Sequence, residues 1–262
     1  MPLSRKKPEI QVGLSGTALK YIAMTTMLAD HIGAVLLERI VYYRGNLEQV
    51  AMLMTSQWGD TLYWLWRMLR TVGRIAFPIY CFLLVEGFLH TRDWRRYWLR
   101  MAAFALISEI PFRLAVWNTW AGGSSNVYVE LAIGLLVLRG LKQSEGLTQP
   151  RRAAGMAAVI GGGCLAAVFL KADYDMDGIL IISLFYLLRE KRIVQVMSGG
   201  ILSLLESWNM CYGAGILSAV PLYFYNGKKG QAPWKYAFYW FYPLHLMVLF
   251  FIRLYVVGIP LG

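Results

Sequence analysis

The sequence predicts an all-α polytopic transmembrane helical bundle of about nine spans with a cytoplasmic N-terminus, and three observations predict it. Hydrophobic residues make up 58% of the chain, charged residues only 16%, and mean hydropathy is +0.47. A soluble domain carries roughly 45–50% apolar and about 25% charged residues. Apolar stretches recur along the whole length, and crossing a ~30 Å hydrocarbon core takes about 20 residues, or fewer when neighbours shield the segment. Finally, Lys and Arg gather in alternate loops, as membrane orientation demands.

The predicted spans run approximately over 20–41, 72–90, 98–117, 126–140, 153–171, 177–189, 193–207, 210–225 and 236–257. The first, LKYIAMTTMLADHIGAVLLERI, is apolar apart from Asp30, His31 and its ends. Between it and the second lies SQWGDTLYWLWRMLR, whose aromatics mixed with Arg67 and Arg70 predict a helix lying in the membrane interface. The fourth, sixth and seventh spans are short, which favours tilted or partly buried helices. In the fifth, the GGG at 161–163 reads as a site of close helix packing, because small residues let backbones approach.

The connecting loops set the orientation. Arg5, Lys6 and Lys7 precede the first span. Every second loop after them is basic: Arg92, Arg95 and Arg96; Arg139, Lys142, Arg151 and Arg152; Arg189, Lys191 and Arg192; Lys228, Lys229 and Lys235. The intervening NTWAGGSSN, ADYDMDG and ESWNM are poor in Lys and Arg, while the loop with Arg39, Arg44, Arg67 and Arg70 breaks the pattern. This alternation puts the N-terminus inside and the C-terminus outside. It also accounts for the formal charge of +11 without a nucleic-acid partner. The chain reads as one domain, 1–262, with no cleavable signal peptide. Cys81, Cys164 and Cys211 all lie in apolar stretches and lack metal-ligand spacing, so they read as inert buried thiols, with no metal site.

Ionisable residues at membrane depth cost at least about 2.5–3.5 kcal/mol each on insertion scales, so each needs a reason. Lys20 and His31 are eleven positions apart, close to three helical turns, and share one face. Asp30 points roughly 100° away from His31. Glu109 in FALISEIPFRLAV and His245 in YWFYPLHLMVLFF count to a depth similar to that of His31, so three helices can turn polar groups into one interior cavity. Blander readings stand beside this one. Either His can bond a carbonyl or hydroxyl across a helix interface. Glu109 can close a bridge to Arg113, and Glu86 and His90 are a second pair at the same spacing. Asp173, Asp175 and Asp177 lack the spacing of a calcium loop and read as caps of the sixth span. No P-loop, nucleophile elbow, zincin pair or dinucleotide fingerprint is present, so any chemistry belongs inside the bilayer.

Five segments in order, LKYIAMTTMLADHIG, VGRIAFPIYCFLLVEGFLHT, FALISEIPFRLA, ADYDMDGILII and FYWFYPLHLMVL, resemble the TraX family of membrane acetyltransferases, from about residue 17 to 255. Lys20 and His31, ten residues between them, are similar to a pattern of the acyltransferase-three family. AFPIYCFLLVEGF is similar to a span of the heparan-glucosaminide N-acetyltransferases. The resemblance implies a multi-pass protein of the bacterial inner membrane that moves an acetyl group from cytoplasmic acetyl-CoA, as co-substrate, to an amine or hydroxyl. The acceptor would be a membrane-associated peptide, pilin or glycan; the family's founding member N-acetylates pilin. Lys20, Glu86, Arg92, Arg95 and Arg96 become candidates for the donor site. Arg74 joins them, or else serves the oxyanion or the acceptor. His31 becomes the general base, Glu109 or Asp30 its orienting carboxylate, His245 the rival base, and Tyr242 a group for the oxyanion or acceptor. The competing classes are a proton-coupled transporter and a pilus or secretion assembly factor. Acetyl-CoA binding separates both from an acyltransferase.

Overall fold

The computed structural model describes residues 13–42, 55, 58–231, 234 and 236–257. Arg5, Lys6, Lys7, Arg44 and Lys235, counted above for orientation, lie outside the described residues. Among the described residues the chain is all-helical, with one isolated backbone bridge, Leu14 to Tyr225, and no strand. Three helices are long and apolar enough to cross a membrane: Gly59–His90, Arg151–Phe169 and Ala237–Tyr255. This is a membrane protein.

Helix α1, Gly16–Ile32, starts where the Ser15 side chain accepts the Ala18 N–H, and runs on through a π-helical turn, Gly33–Leu37, into Glu38–Tyr42. Helix α2, Gly59–Gly73, packs lengthwise on α1 and its π turn. Trp58 and Trp64 on its outer side are exposed. After a break at Arg74 and Ile75 the chain continues as α3, Ala76–His90. The second predicted span, 72–90, thus corresponds to α3, and α2 precedes it as a separate amphipathic helix.

Helix α4, Trp94–Phe112, ends in a π turn, Arg113–Trp117. It is followed by α5, Val127–Ser144, α6, Arg151–Phe169, α7, Asp175–Leu187, and α8, Arg192–Cys211. The last long helix, α9, Ala237–Ile252, runs into a third π turn, Arg253–Val257. The core lies where α1, α3, α5, α7 and α9 meet, with Phe82, Leu138, Ile181 and Leu246 fully buried.

Two locks hold the ends of the bundle. At one end, the 224–229 loop pairs with the start of α1: Leu14 N–H donates to the Phe224 carbonyl, and Gly16 and Thr17 N–H donate to Lys228 and Lys229. At the other end Arg253, 0% exposed, donates to the carbonyls of Leu114 and Ala115 and to Asn118 Oδ1 at 2.6–2.8 Å. A π turn frees carbonyls that an α-helix would use, and the arginine supplies their missing donors.

The GGG prediction holds for one glycine of three. A Cβ on Gly163 would stand 2.4 Å from Val137 Cγ2, whereas one on Gly161 or Gly162 would meet nothing within 4 Å. Those two face outward from α6.

Candidate functional site

The site is assembled from α1, α3 and α9, with the start of α5 behind them. His31 and His245 project from α1 and α9 toward each other, both nearly buried, with His31 Nδ1 2.6 Å from His245 Nε2 and the rings stacked at 4.9 Å. They are one pair, not two rival groups. His245 Nδ1 lies 2.6 Å from the Phe241 carbonyl oxygen, which can only accept, so this nitrogen carries the proton. With both rings neutral, His245 Nε2 is then a lone pair. His31 Nδ1 must donate to it, which leaves His31 Nε2 as the unprotonated nitrogen. The Tyr242 ring stands edge-on to both imidazoles at 5.8 Å, so Tyr242 shares the His245 face as their spacing predicts.

Asp30 does not touch the imidazole pair by a hydrogen bond. It turns to the other side of α1, where Arg70 Nη1 reaches it at 2.8 Å and Arg74 Nη2 bridges both its oxygens at 2.9 and 3.0 Å. The two arginines lie four residues apart, one turn of helical geometry, which brings both onto one carboxylate. Gly73 permits the approach, since a Cβ there would overlap the Asp30 side chain. Asp30 is thus a clamp that fastens the end of α2 to α1. Arg74 is committed to that clamp and lines the larger cavity, whereas Lys20 lines the smaller, so these two predicted site residues are not brought together.

Glu109 is also displaced from its predicted role. Its carboxylate accepts from Arg113 Nε at 2.8 Å and from Asn126 Nδ2 at 2.6 Å, and it lines neither cavity described below. Depth counting grouped it with His31 and His245, but a count of residues along a helix could not supply its direction. Asn126 in turn caps α5 by accepting the Tyr128 N–H, so Glu109 braces a helix start.

Two cavities enter the bundle from opposite ends, and of the imidazole pair only His31 lines one of them, the larger. The larger, about 900 Å³, is lined by His31 and Tyr242, the Asp30–Arg70–Arg74 clamp, and the carboxylates of Asp173 and Glu206. The smaller, about 490 Å³, lies toward the start of α1 and is lined by Lys20, Lys229, Arg100 and His90, with Glu86 as its one acid among the lining residues. Lys20 and His31 therefore face different chambers along the same helix. Glu86 accepts the Tyr225 hydroxyl at 3.0 Å, while His90 Nδ1 meets the Glu86 backbone carbonyl, so the predicted Glu86–His90 side-chain pair is not made. Arg92, Arg95 and Arg96 line neither cavity, and Arg96 is an exposed partner of Asp93. The basic residues that do line the smaller cavity beside Lys20 are Arg100 and Lys229.

The aspartates ahead of α7 also differ from expectation. No side chain caps α7; Asp173 accepts from Ser124 at 3.3 Å and, with Asp175, borders the larger cavity. Sequence reasoning missed Arg70, Glu206 and Tyr80 altogether as site residues. The spacing of Arg70 and Arg74 was a usable signal for the first, whereas nothing in the sequence singles out the other two. Among the described residues no cluster of His, Cys, Asp and Glu could hold a metal ion.

Residues 15–253 match the family described as TraX protein. The chain belongs to the TraX family. The chain is 29% identical over 236 residues to a protein described as probable fimbrial assembly protein FimC, serogroup H1, from Dichelobacter nodosus, covering 78% of this chain and 88% of that one. No solved structure matches the chain. The imidazole pair, the clamp and both cavities of this TraX-family chain fall inside the matched residues.

Proposed function

We propose that this TraX-family protein is a membrane-embedded acyltransferase that moves an acetyl group from acetyl-CoA to an amine or hydroxyl acceptor, in a pilus-related setting at the bacterial inner membrane. The observation that carries the reading is the hydrogen-bonded His31–His245 pair, with His31 lining the larger cavity and the more basic, smaller cavity meeting that one at Tyr80. The basic chamber at the Lys20 end suits the phosphates of a cytoplasmic CoA thioester, with Lys20, Arg100 and Lys229 as their counter-charges. The mixed-charge chamber at the Asp173 end suits a polar acceptor from the other side.

In this mechanism an acceptor amine attacks the thioester carbon, a C–N bond forms and the C–S bond breaks. His31 Nε2 takes the proton of the attacking nitrogen and returns it to the departing thiolate, so acetyl-CoA and amine become N-acetyl product and CoA. His245 is a positioning residue. It fixes the His31 tautomer through Nδ1 and shares the charge that develops on the imidazole, while the Phe241 carbonyl fixes His245 in turn. Tyr242 is a candidate donor to the tetrahedral oxyanion. The family membership and the pilus context of the Dichelobacter relative support an acceptor from the fimbrial machinery.

The test is release of free CoA from acetyl-CoA by the purified protein in nanodiscs, wild type beside His31→Ala and His245→Ala. Turnover by wild type, abolished by His31→Ala and reduced less by His245→Ala, is the expected result. A wild-type protein that neither binds nor consumes acetyl-CoA overturns the reading. That outcome would favour the second one, an assembly factor, for which the fimbrial-assembly description of the relative is the supporting observation.

A further inference from the structure

We propose that Tyr80 is the septum between the two cavities and that its ring sets the length of the acyl chain that can be transferred. The proposal rests on the acyltransferase reading above and goes beyond it to donor specificity.

Among the described residues, Tyr80 alone lines both cavities. It sits on α3 at the level where that helix passes from one chamber to the other: Phe77, one turn earlier, borders the larger, and Leu84, one turn later, borders the smaller. The rest of the dividing wall is fastened. Tyr128 donates to the Tyr239 carbonyl at 3.1 Å, and its ring packs edge-on against Tyr242 at 5.2 Å. Tyr242 in turn abuts the imidazole pair. Tyr80 differs from Tyr128, because among the described residues its hydroxyl has no hydrogen-bond partner to hold the ring in place.

A thioester carried up the smaller cavity must bring its carbonyl past this ring to meet an acceptor beside His31 Nε2. An acetyl group extends one methyl beyond that carbonyl. Every further methylene has to be housed against Tyr80, where its ring narrows the passage from one cavity to the other. In such a wall one methylene more or less is worth about 10–200-fold in rate. A side chain that spans both chambers is therefore placed to discriminate by length, with no charge or hydrogen bond required.

The experiment gives the full-length protein in nanodiscs acetyl-, propionyl- or butyryl-CoA, with triglycine as the amine probe, and measures released thiol. Wild type should consume acetyl-CoA at least about tenfold faster than butyryl-CoA. Tyr80→Leu and Tyr80→Ala should each narrow that ratio to within about threefold, while Tyr80→Phe, which keeps the ring, should leave it as in wild type. Should Tyr80→Ala fail to fold, the ratio in Tyr80→Leu decides. Acetyl turnover that persists in the truncated variants with an unchanged butyryl-to-acetyl ratio overturns the proposal, as does a wild type that uses both donors equally. Folded but wholly inactive truncations also overturn it, since a length filter is not needed for the shortest donor. Wild type inert toward all three thioesters would bring down the acyltransferase reading itself, and this inference with it.

Discussion

Replacing Gly73 with alanine should break the link between α1 and α2. A Cβ at this position would lie 2.3 Å from both Asp30 Cβ and Asp30 Oδ1. Non-bonded carbons rest about 3.5–4.0 Å apart, so α2 must retreat by about 1 Å or more, or Asp30 must leave its rotamer. Arg70 and Arg74 now reach the carboxylate at 2.8 and 2.9 Å, and such a retreat carries both beyond good hydrogen-bond length. Overpacking costs about 1–3 kcal/mol, and breaking a buried ion pair about 3–5 kcal/mol. Partial relaxation keeps the two from adding in full, which leaves about 3–5 kcal/mol. At about 2–4 °C per kcal/mol for a chain of this size, the melting temperature falls by about 10 °C. Intrinsic tryptophan fluorescence during heating in nanodiscs reads this directly, since the chain has 10 Trp. The cause is isolated by combining the change with Asp30→Gly, which removes the atoms that a Cβ would strike. The double variant should then lose at least about 1 kcal/mol less than the sum of the single variants. Additive losses, or a Gly73→Ala protein that melts with wild type, would refute the reasoning.

Other consequences follow from the same geometry. Gly163→Ala should destabilise by about 1–3 kcal/mol through its clash with Val137, while Gly161→Ala and Gly162→Ala should be neutral or stabilising by up to about 1 kcal/mol, as read in parallel melts. Arg253→Leu removes three buried hydrogen bonds, to the carbonyls of Leu114 and Ala115 and to Asn118 Oδ1, and should cost about 3 kcal/mol or more in the same assay. If the acyltransferase reading holds, His31→Ala lowers kcat by about a hundredfold or more. His245→Phe keeps the ring but not the bond, and should lower kcat by less. Lys229→Ala and Arg100→Ala should raise the KM for acetyl-CoA several-fold with kcat little changed, whereas Arg95→Ala, outside the cavity, should change neither.

Much of the architecture was legible in the sequence because it depends on sums over many residues. Apolar runs marked where most helices fall, although the predicted span 210–225 resolves into the end of α8, a 3-10 turn, Ala214–Ser218, and a short helix, Ala219–Tyr223. The His31 and His245 positions were singled out because ionisable groups are costly at membrane depth. Depth along a helix is likewise a count of residues, so His31 and His245 could be matched in level from rise alone. Direction is different. Glu109 was matched to the same level and proved to face Arg113 and Asn126, because its orientation depends on the rotation and crossing of α4 against α5. The amphipathic α2 was visible as a helix, but its lengthwise docking on α1 depends on the Gly73–Asp30 approach, which no hydropathy window registers.

What the sequence by itself determined is the class of molecule: helical, membrane-embedded, with ionisable side chains held at depth in segments of TraX character. Composition and periodicity suffice for that because bilayer energetics act on each segment separately. Only the tertiary structure decided which of those side chains meet. The His31–His245 bond links residues 214 apart in the chain, and the Asp30 clamp and the shared wall at Tyr80 likewise join separate helices. Such contacts are fixed by how whole helices pack against one another, a property that no single segment carries.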